Sequence, residues 1–331
     1  MLLDISELKK ILIIRLSSMG DILLTTPLVR SLKKQNPAIQ IDFVLKEEFF
    51  ELVKNNPNLT NIHTYSKQSF EKQILINTLI SNNYEIVIDL QNNIRSKEIT
   101  KPIHCQTMLF KKNNVKKFLL VNFKINRLKN VPLIPVRYAK AAGINLDDEG
   151  LDIFTDNVAD TRLDLNKKYI GLCPGAKHFT KRWPKEYFIE LGKQLETAGY
   201  KVVLFGGLNE EELISEIANQ LSSPVNLCGD SILQAAANMK MCKAIYTNDS
   251  GAMHLACAVK VPVIAFFGST VKEFGFFPYK ANSFELDVEN LPCRPCTHIG
   301  RKSCPLIHFR CMKDIKPESA FNSLKRLLIV E

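Results

Sequence analysis

The chain has 331 residues, 46% hydrophobic and 24% charged, which excludes a disordered polymer and fits a soluble globular protein. That length exceeds one ordinary core and predicts two domains, and no run approaches the roughly 18 apolar residues of a membrane span. The net charge of +10 is uneven: from Arg95 to Lys140 twelve Lys and Arg stand against the single acid Glu98, and the remainder is nearly neutral. Such a stretch points to an anionic partner (a phosphorylated substrate, an acidic membrane surface or nucleic acid) or else to a merely solvated basic face. The opening MLLDISELKK carries Asp4 and no cleavable signal pattern, so a cytoplasmic protein is expected.

Ile11–Arg15 reads as a buried strand and Ile22–Lys34 as the first helix. Ile39–Leu45, Ile62–Tyr65 and Glu85–Leu90 continue as strands, with helices over Glu47–Asn55 and Gln68–Asn82 between them. Strands alternating with helices at this spacing mean βαβ units and a parallel sheet. A helix near Arg137–Ala142 follows the basic stretch, and Ala142–Lys168, lacking periodicity, reads as an interdomain tether.

A second series then begins. Tyr169–Cys173, Lys201–Phe205, Val225–Leu227, Ala244–Thr247 and Val263–Phe267 are strands. Lys185–Ala198, Glu210–Leu221, Ser231–Met241 and Gly251–Val259 are helices. The expected fold is α/β with two Rossmann-like domains facing a cleft, the GT-B plan. The expected boundaries are a first domain over residues 1–160 and a second over 161–315, with a C-terminal helix in 316–331 packing back towards the first.

Ligands of open α/β sheets bind at the carboxyl ends of the strands, so the loops there carry the candidates. Ser17-Ser18-Met19-Gly20-Asp21 follows the first strand, and Asp21 is either a helix cap or a catalytic base. Thr247-Asn248-Asp249-Ser250-Gly251-Ala252-Met253-His254 joins a strand directly to a helix. The backbone N–H groups of such a helix start form an anion site, and Gly251 permits close approach of a phosphate. Lys177, Thr180, Lys181 and Arg182 follow Pro174-Gly175 and could neutralise a departing pyrophosphate. Gly206-Gly207 and Gly268-Ser269-Thr270 end neighbouring strands. Neither half has GxGxxG after its first strand or a GxxxxGK[ST] loop, which disfavours NAD and excludes a P-loop NTPase. No DxD pair suggests a metal-clamped diphosphate.

Cys293, Cys296, Cys304 and Cys311 read C-x2-C-x7-C-x6-C, candidate ligands for a structural zinc or iron or else packed free thiols. His298 and His308 are alternative ligands. Few aromatics interleave the basic stretch and no binding motif accompanies it, which argues against nucleic acid.

These residues resemble glycosyltransferase family 9, the ADP-heptose:lipopolysaccharide heptosyltransferases. The match runs through SSMGD at Ser17–Asp21, VIDLQ at Val87–Gln91, Arg137-Tyr138, PGA at Pro174–Ala176, KRWP at Lys181–Pro184, NDSGAMH at Asn248–His254 and the late cysteine run. The resemblance implies inverting transfer of heptose from ADP-L-glycero-D-manno-heptose to the lipopolysaccharide inner core, with no cofactor required. It implies Asp21 as general base, read as poised near neutrality, and Lys181 on the donor phosphates. Asp249, Ser250 and Gly251 would hold the donor and His254 would support their loop. Gly175, Thr180 and Gly206 complete the expected donor site, and Ser18, Met19, Gly20, Arg95 and Arg137 the acceptor side. The acceptor would be a phosphorylated core lipid met peripherally at an anionic inner-membrane face. One departure is that Gly206-Gly207 is followed by Leu208-Asn209, where family members place an acid for the ribose, and acids begin only at Glu210. Transfer from another nucleotide sugar, or non-catalytic anion binding, are the competing readings.

Overall fold

The structure, a computed structural model, describes residues 5–156, 158 and 161–329. Asp4, Val330 and the boundary expected at residue 160 lie outside them. The chain divides into two compact units, the first comprising the residues up to Lys112 together with Pro132–Asp156.

Elements in this part of the chain are β1 (Lys10–Ile14), α1 (Met19–Leu23), α2 (Thr26–Gln35), β2 (Gln40–Lys46), β3 (Asn61–Tyr65) and α3 (Ser69–Ser81). They continue with β4 (Ile86–Asp89), α4 (Ile94–Thr100), β5 (Gln106–Leu109), α5 (Asn114–Phe123) and α6 (Ile134–Ala142). The five strands of the first unit are all parallel, in the order β3-β2-β1-β4-β5. β1 is an unbroken apolar run because a parallel sheet is covered on both faces. Leu12 and Ile14 meet Val44, Leu75, Leu79, Val87 and Ile99 in the core on one of those faces.

The single helix expected over 22–34 is broken at Leu24-Thr25. Pro27 has no N–H, and its ring would meet the Leu23 carbonyl of a continuous helix. The Thr25 and Thr26 hydroxyls instead donate to Ile22 O (2.6 Å) and Leu23 O (2.8 Å), and the helix restarts with Pro27 in its first turn. Glu47–Leu52 is a 3-10 turn where an α-helix was expected.

Ala142–Lys168 is not a free tether over its first part. Ile144, Leu151 and Ile153 are buried. The buried Arg30 guanidinium on α2 donates to Asp147 Oδ2 (2.8 Å) and Oδ1 (2.7 Å), to Gly150 O (2.9 Å) and to Asp152.

The second unit joins Asn113–Val131 to the residues after Asp156. It continues with β6 (Tyr169–Cys173), α7 (Lys185–Thr197), β7 (Lys201–Leu204), α8 (Glu211–Ala218), β8 (Val225–Asn226) and α9 (Ile232–Met239). It closes with β9 (Cys242–Asn248), α10 (Gly251–Ala258), β10 (Val263–Phe267), β11 (Ser283–Asp287), α11 (Arg310–Lys313) and α12 (Pro317–Ile329). Six parallel strands run β11-β10-β9-β6-β7-β8. In each unit the strand order reverses beside the first strand, between β1 and β4 and between β6 and β9. That reversal is the ligand-binding switch point of a Rossmann sheet.

Two placements differ from the expected domains. Residues 113–131 belong with the second unit, since Leu120 and Leu128 pack on Phe274 and the Asn126 amide donates to Glu273 Oε1 (2.9 Å). The C-terminal helix, α12, also packs within the second unit. Its Ala320, Leu324 and Leu327 fill the core that holds Leu191 and Leu195 of α7, and the Tyr246 hydroxyl donates to Ala320 O (2.8 Å).

Arg30→Met should lower the stability of the first unit by about 2–3 kcal/mol, because it strands the partly buried Asp147 and Asp152 carboxylates. Arg30 first, then Lys34, hold the Asp147 carboxyl below its ordinary range against its partial burial. That stabilisation is present above the unfolded carboxylate value and is lost as pH falls through the lower folded one. In urea unfolding followed by circular dichroism, the difference between wild type and variant should therefore be full at pH 7 and shrink on acidification below about pH 4.

Candidate active site

At the first switch point the loop after β1 runs against the loop after β4. The Gln91 side-chain oxygen accepts Leu16 N (3.0 Å) and Ser17 N (3.3 Å), and Arg15 Nη1 donates to Leu90 O (2.6 Å). The fully buried Asp89 shapes the second of these loops, accepting Gln91 N (2.9 Å), Asn92 N (2.7 Å) and the Ser96 hydroxyl (2.7 Å). Arg15 Nη2 then reaches Asp21 Oδ1 at 2.5 Å. Asp21 Oδ2 accepts Ser18 N (3.1 Å) and Ser18 Oγ (2.7 Å), a capping box at the start of α1. Asp21 is thus a cap and a poised carboxylate at once. Burial alone would push this carboxyl up; Arg15 and the Ser18 donors outweigh it and hold the group below its ordinary value. The fully buried Tyr138 phenol lies against Arg15, whose guanidinium carbon is 5.6 Å from the ring centre. Burial, joined by the Asp21 charge and opposed by Arg15, pushes this phenol up and keeps it neutral.

At the second switch point Asn248, the last residue of β9, ties the loop after β6 in place. Its amide donates to Pro174 O (2.8 Å) and Gly175 O (3.3 Å), and its oxygen accepts Trp183 N (2.9 Å). Trp183 stacks on Phe266 of β10 with centroids 4.2 Å apart and donates from its indole to Ile315 O (2.9 Å). Beside this frame Lys181 Nζ pairs with Asp249 Oδ2 at 2.8 Å, and the Thr270 hydroxyl donates to the same oxygen at 2.6 Å. Ser250 caps α10, and its buried hydroxyl has no hydrogen-bond partner among the described residues. The cationic loop is felt by His178, whose imidazole is pushed down by burial and then by Lys181, Lys177 and Arg182. Cations, a helix N-terminus and an open hydroxyl at one strand edge form a site for a multiply charged anion.

A profile of glycosyltransferase family 9 (heptosyltransferase) matches residues 73–306. The chain belongs to glycosyltransferase family 9. It is 37% identical over 169 residues to lipooligosaccharide heptosyltransferase 2 of Campylobacter jejuni, a match covering 49% of this chain and 51% of that protein. Against lipopolysaccharide heptosyltransferase 2 of Escherichia coli K12 the identity is 29% over 295 residues, covering 80% and 84%. The chain thus spans about half the length of the Campylobacter relatives (51–53%) and more of the E. coli one. Among solved structures it is similar to E. coli ADP-heptose lipopolysaccharide heptosyltransferase II, with a TM-score of 0.76 and 26% identity over 97% of this chain and 99% of that one. It shares the fold of the family 9 glycosyl transferase of Veillonella parvula (TM-score 0.80, 24% identity, 100% and 99% covered).

Within this family 9 chain the expected residues fall into three groups. Ser18 and the first turn of α1, Met19, Gly20 and Asp21, follow β1, and Gly175, Lys181, Asp249, Ser250 and Gly251 share the β6–β9 edge. Thr180 and Arg137 are committed elsewhere. The Thr180 hydroxyl accepts Arg301 N (2.9 Å), and the buried Arg137 donates to Lys111 O (2.8 Å) and lies over the Phe110 ring at 4.9 Å. Arg95 is exposed on α4, Gly206 lies in the loop just after β7, and His254 is buried inside α10.

Sequence reasoning passed over Arg15, Gln91, Lys112 and Glu210. Arg15 looked like the last residue of a strand, although a cation ending an apolar strand three residues before SMGD was the available signal. Lys112 was one cation among twelve. Its ammonium is pushed down by burial and then by Arg15, with Asp89 and Asp21 opposing. Glu210 is returned to the strand edge by the 3-10 turn Leu208–Glu210. Its carboxylate accepts Gly207 N (3.1 Å) and fills the space where a Cβ on Gly175 would stand.

The four late thiols are near enough to influence one another, and burial, then Cys296, pushes the Cys311 thiol up to about 12. Cys293 Sγ lies 4.0 Å from His308 Nε2. Among the described residues no three His, Cys, Asp or Glu side chains are arranged to hold a metal ion.

Asn248→Ala should leave Trp183 N–H and Pro174 C=O buried without partners, at a cost of about 2–4 kcal/mol. Trp183 is the single tryptophan, so its fluorescence in urea reads the loss directly.

Proposed function

We propose that this chain transfers heptose from an ADP-activated donor to the lipopolysaccharide inner core, with inversion at the anomeric carbon. The observation that carries the reading is the pair of switch-point loops in one family 9 chain, one offering an ionised carboxylate and the other a cationic anion site. The similarity to heptosyltransferases that act on lipopolysaccharide or lipooligosaccharide supports heptose and this acceptor class.

In this reading Lys181 and the backbone N–H groups opening α10 take the diphosphate, with the Ser250 hydroxyl donating to one of its oxygens. Asp249 keeps Lys181 in place before the donor arrives. Glu210 accepts ribose hydroxyls, supplying the acid that Leu208-Asn209 lack. The acceptor hydroxyl enters along Ser18, Met19 and Gly20, while Arg95 supplies positive charge for acceptor phosphates; Arg137 instead holds the backbone at Lys111. As the acceptor oxygen bonds to the anomeric carbon, its proton passes to Asp21. The bond to the diphosphate breaks on the opposite face, and ADP leaves with the electron pair. Charge on the leaving group is met by lysine and helix dipole rather than by a metal clamp. The reaction belongs on the cytoplasmic side of the inner membrane, where a nucleotide sugar is available.

Incubation with ADP-heptose and a core-truncated lipopolysaccharide should release ADP and extend the acceptor by one heptose of inverted configuration. A clear preference for a UDP-sugar would overturn the donor. Asp21→Asn should lower kcat by about 10²–10⁴-fold. Arg15→Met removes the cation that opposes the effect of burial on Asp21, so the acid limb of kcat should move to higher pH. An unmoved limb would take the base role away from Asp21.

A further inference from the structure

The segment Asn113–Val131 turns apolar side chains the wrong way for a soluble helix. α5 is anchored to its own unit by Leu120 against Phe274, and just beyond it Lys124 Nζ donates to Pro295 O (2.6 Å) and Cys293 O (3.2 Å). Its other side faces solvent, where Val115 is 73%, Phe118 57% and Phe123 62% exposed, with Ile125 just beyond at 46%. The two phenyl rings meet edge to face at 5.9 Å, so they already form one wedge. Exposed Lys116, Arg127 and Lys129 flank it, and no acid occurs between Asn113 and Val131.

We propose that this face of α5 and the turn after it is a docking surface for a lipid bilayer rich in anionic headgroups. Exposed aromatic and aliphatic side chains gathered on one short helix mark an interaction site. A nucleic acid would use the cations and leave the apolar wedge in water, and a second copy of the chain would bring the same unopposed cations to the contact. An anionic bilayer accepts both sets, since the rings enter the headgroup–acyl boundary while Lys and Arg meet the headgroups. The inference rests on the reading above of a lipid-linked acceptor and names the surface that would bring the enzyme to it.

The test is co-sedimentation of the full chain with vesicles of phosphatidylglycerol and phosphatidylcholine, against vesicles of phosphatidylcholine alone. Partitioning should favour the anionic vesicles and weaken with salt. Phe118→Ser combined with Phe123→Ser should lower it by about tenfold or more. Lys116→Gln and Lys129→Gln should each lower it by about fivefold. Unchanged Trp183 fluorescence melts would show that the variants are folded. Equal binding to neutral vesicles, or wild-type partitioning of the double Phe variant, would overturn the proposal, as would a wild-type dimer that dissolves in that variant without any vesicle binding. Transfer to a delipidated acceptor should be unaffected in the Phe variant. Failed docking with transfer intact therefore rejects the surface alone, whereas docking without transfer retains it and rejects the proposed reaction.

Discussion

A carboxylate at the end of a buried strand is stable only if a cation and directed donors replace the water it has lost. Much of the first unit serves this one requirement. Asp21 needs Arg15, and Arg15 is aimed by Leu90 O. Leu90 O is beside Arg15 because β4 pairs with β1, and Gln91 and Asp89 fix the two adjoining loops. Removing one partner of such a buried pair costs about 3–5 kcal/mol, comparable to a large share of a domain's net stability.

The second unit meets the converse requirement, a concentrated positive site that must not fly apart when empty. Asp249 pairs with Lys181, and Thr270 donates to the same carboxylate oxygen. The backbone carrying Lys181 is held by Asn248 and by the stacked Trp183 and Phe266, not by the cations themselves. Rigid apolar packing therefore sets where the charges stand, and on the proposed reading a diphosphate would meet groups whose ordering cost has already been met by folding.

What was legible in the sequence follows from the same physics. β1, β4, β6 and β10 are central strands buried on both faces, so they appear as apolar runs, and β9 shows the same in its Ala244–Tyr246 core. β5 (QTML) and β11 (SFELD) were missed, being short, half-exposed edge strands with no such signature. The loops at the strand ends carried their chemistry in residue type, and SSMGD and NDSGAMH were readable for that reason. Other features depend on distant contacts. The membership of α5 in the second unit rests on Leu120 meeting Phe274, and the commitment of Arg137 rests on Lys111 O. Neither partner is announced by local spacing. Glu210 is folded back onto Gly175 by a 3-10 turn, a placement that counting residues along the chain does not show.

The depressed Asp21 value sharpens the proposed chemistry. A base near neutrality would be the stronger proton acceptor, but a carboxylate held low by Arg15 is ionised throughout the physiological range. In glycosyl transfer the anomeric carbon gains positive character as the leaving group departs. The attacking hydroxyl becomes strongly acidic only as its oxygen bonds to that carbon. A weak base suffices for a proton lost that late, and its full negative charge also stabilises the cationic character that precedes the transfer. Arg15 thus exchanges basicity for permanent charge, an exchange that suits a reaction whose barrier lies in breaking the bond to the diphosphate.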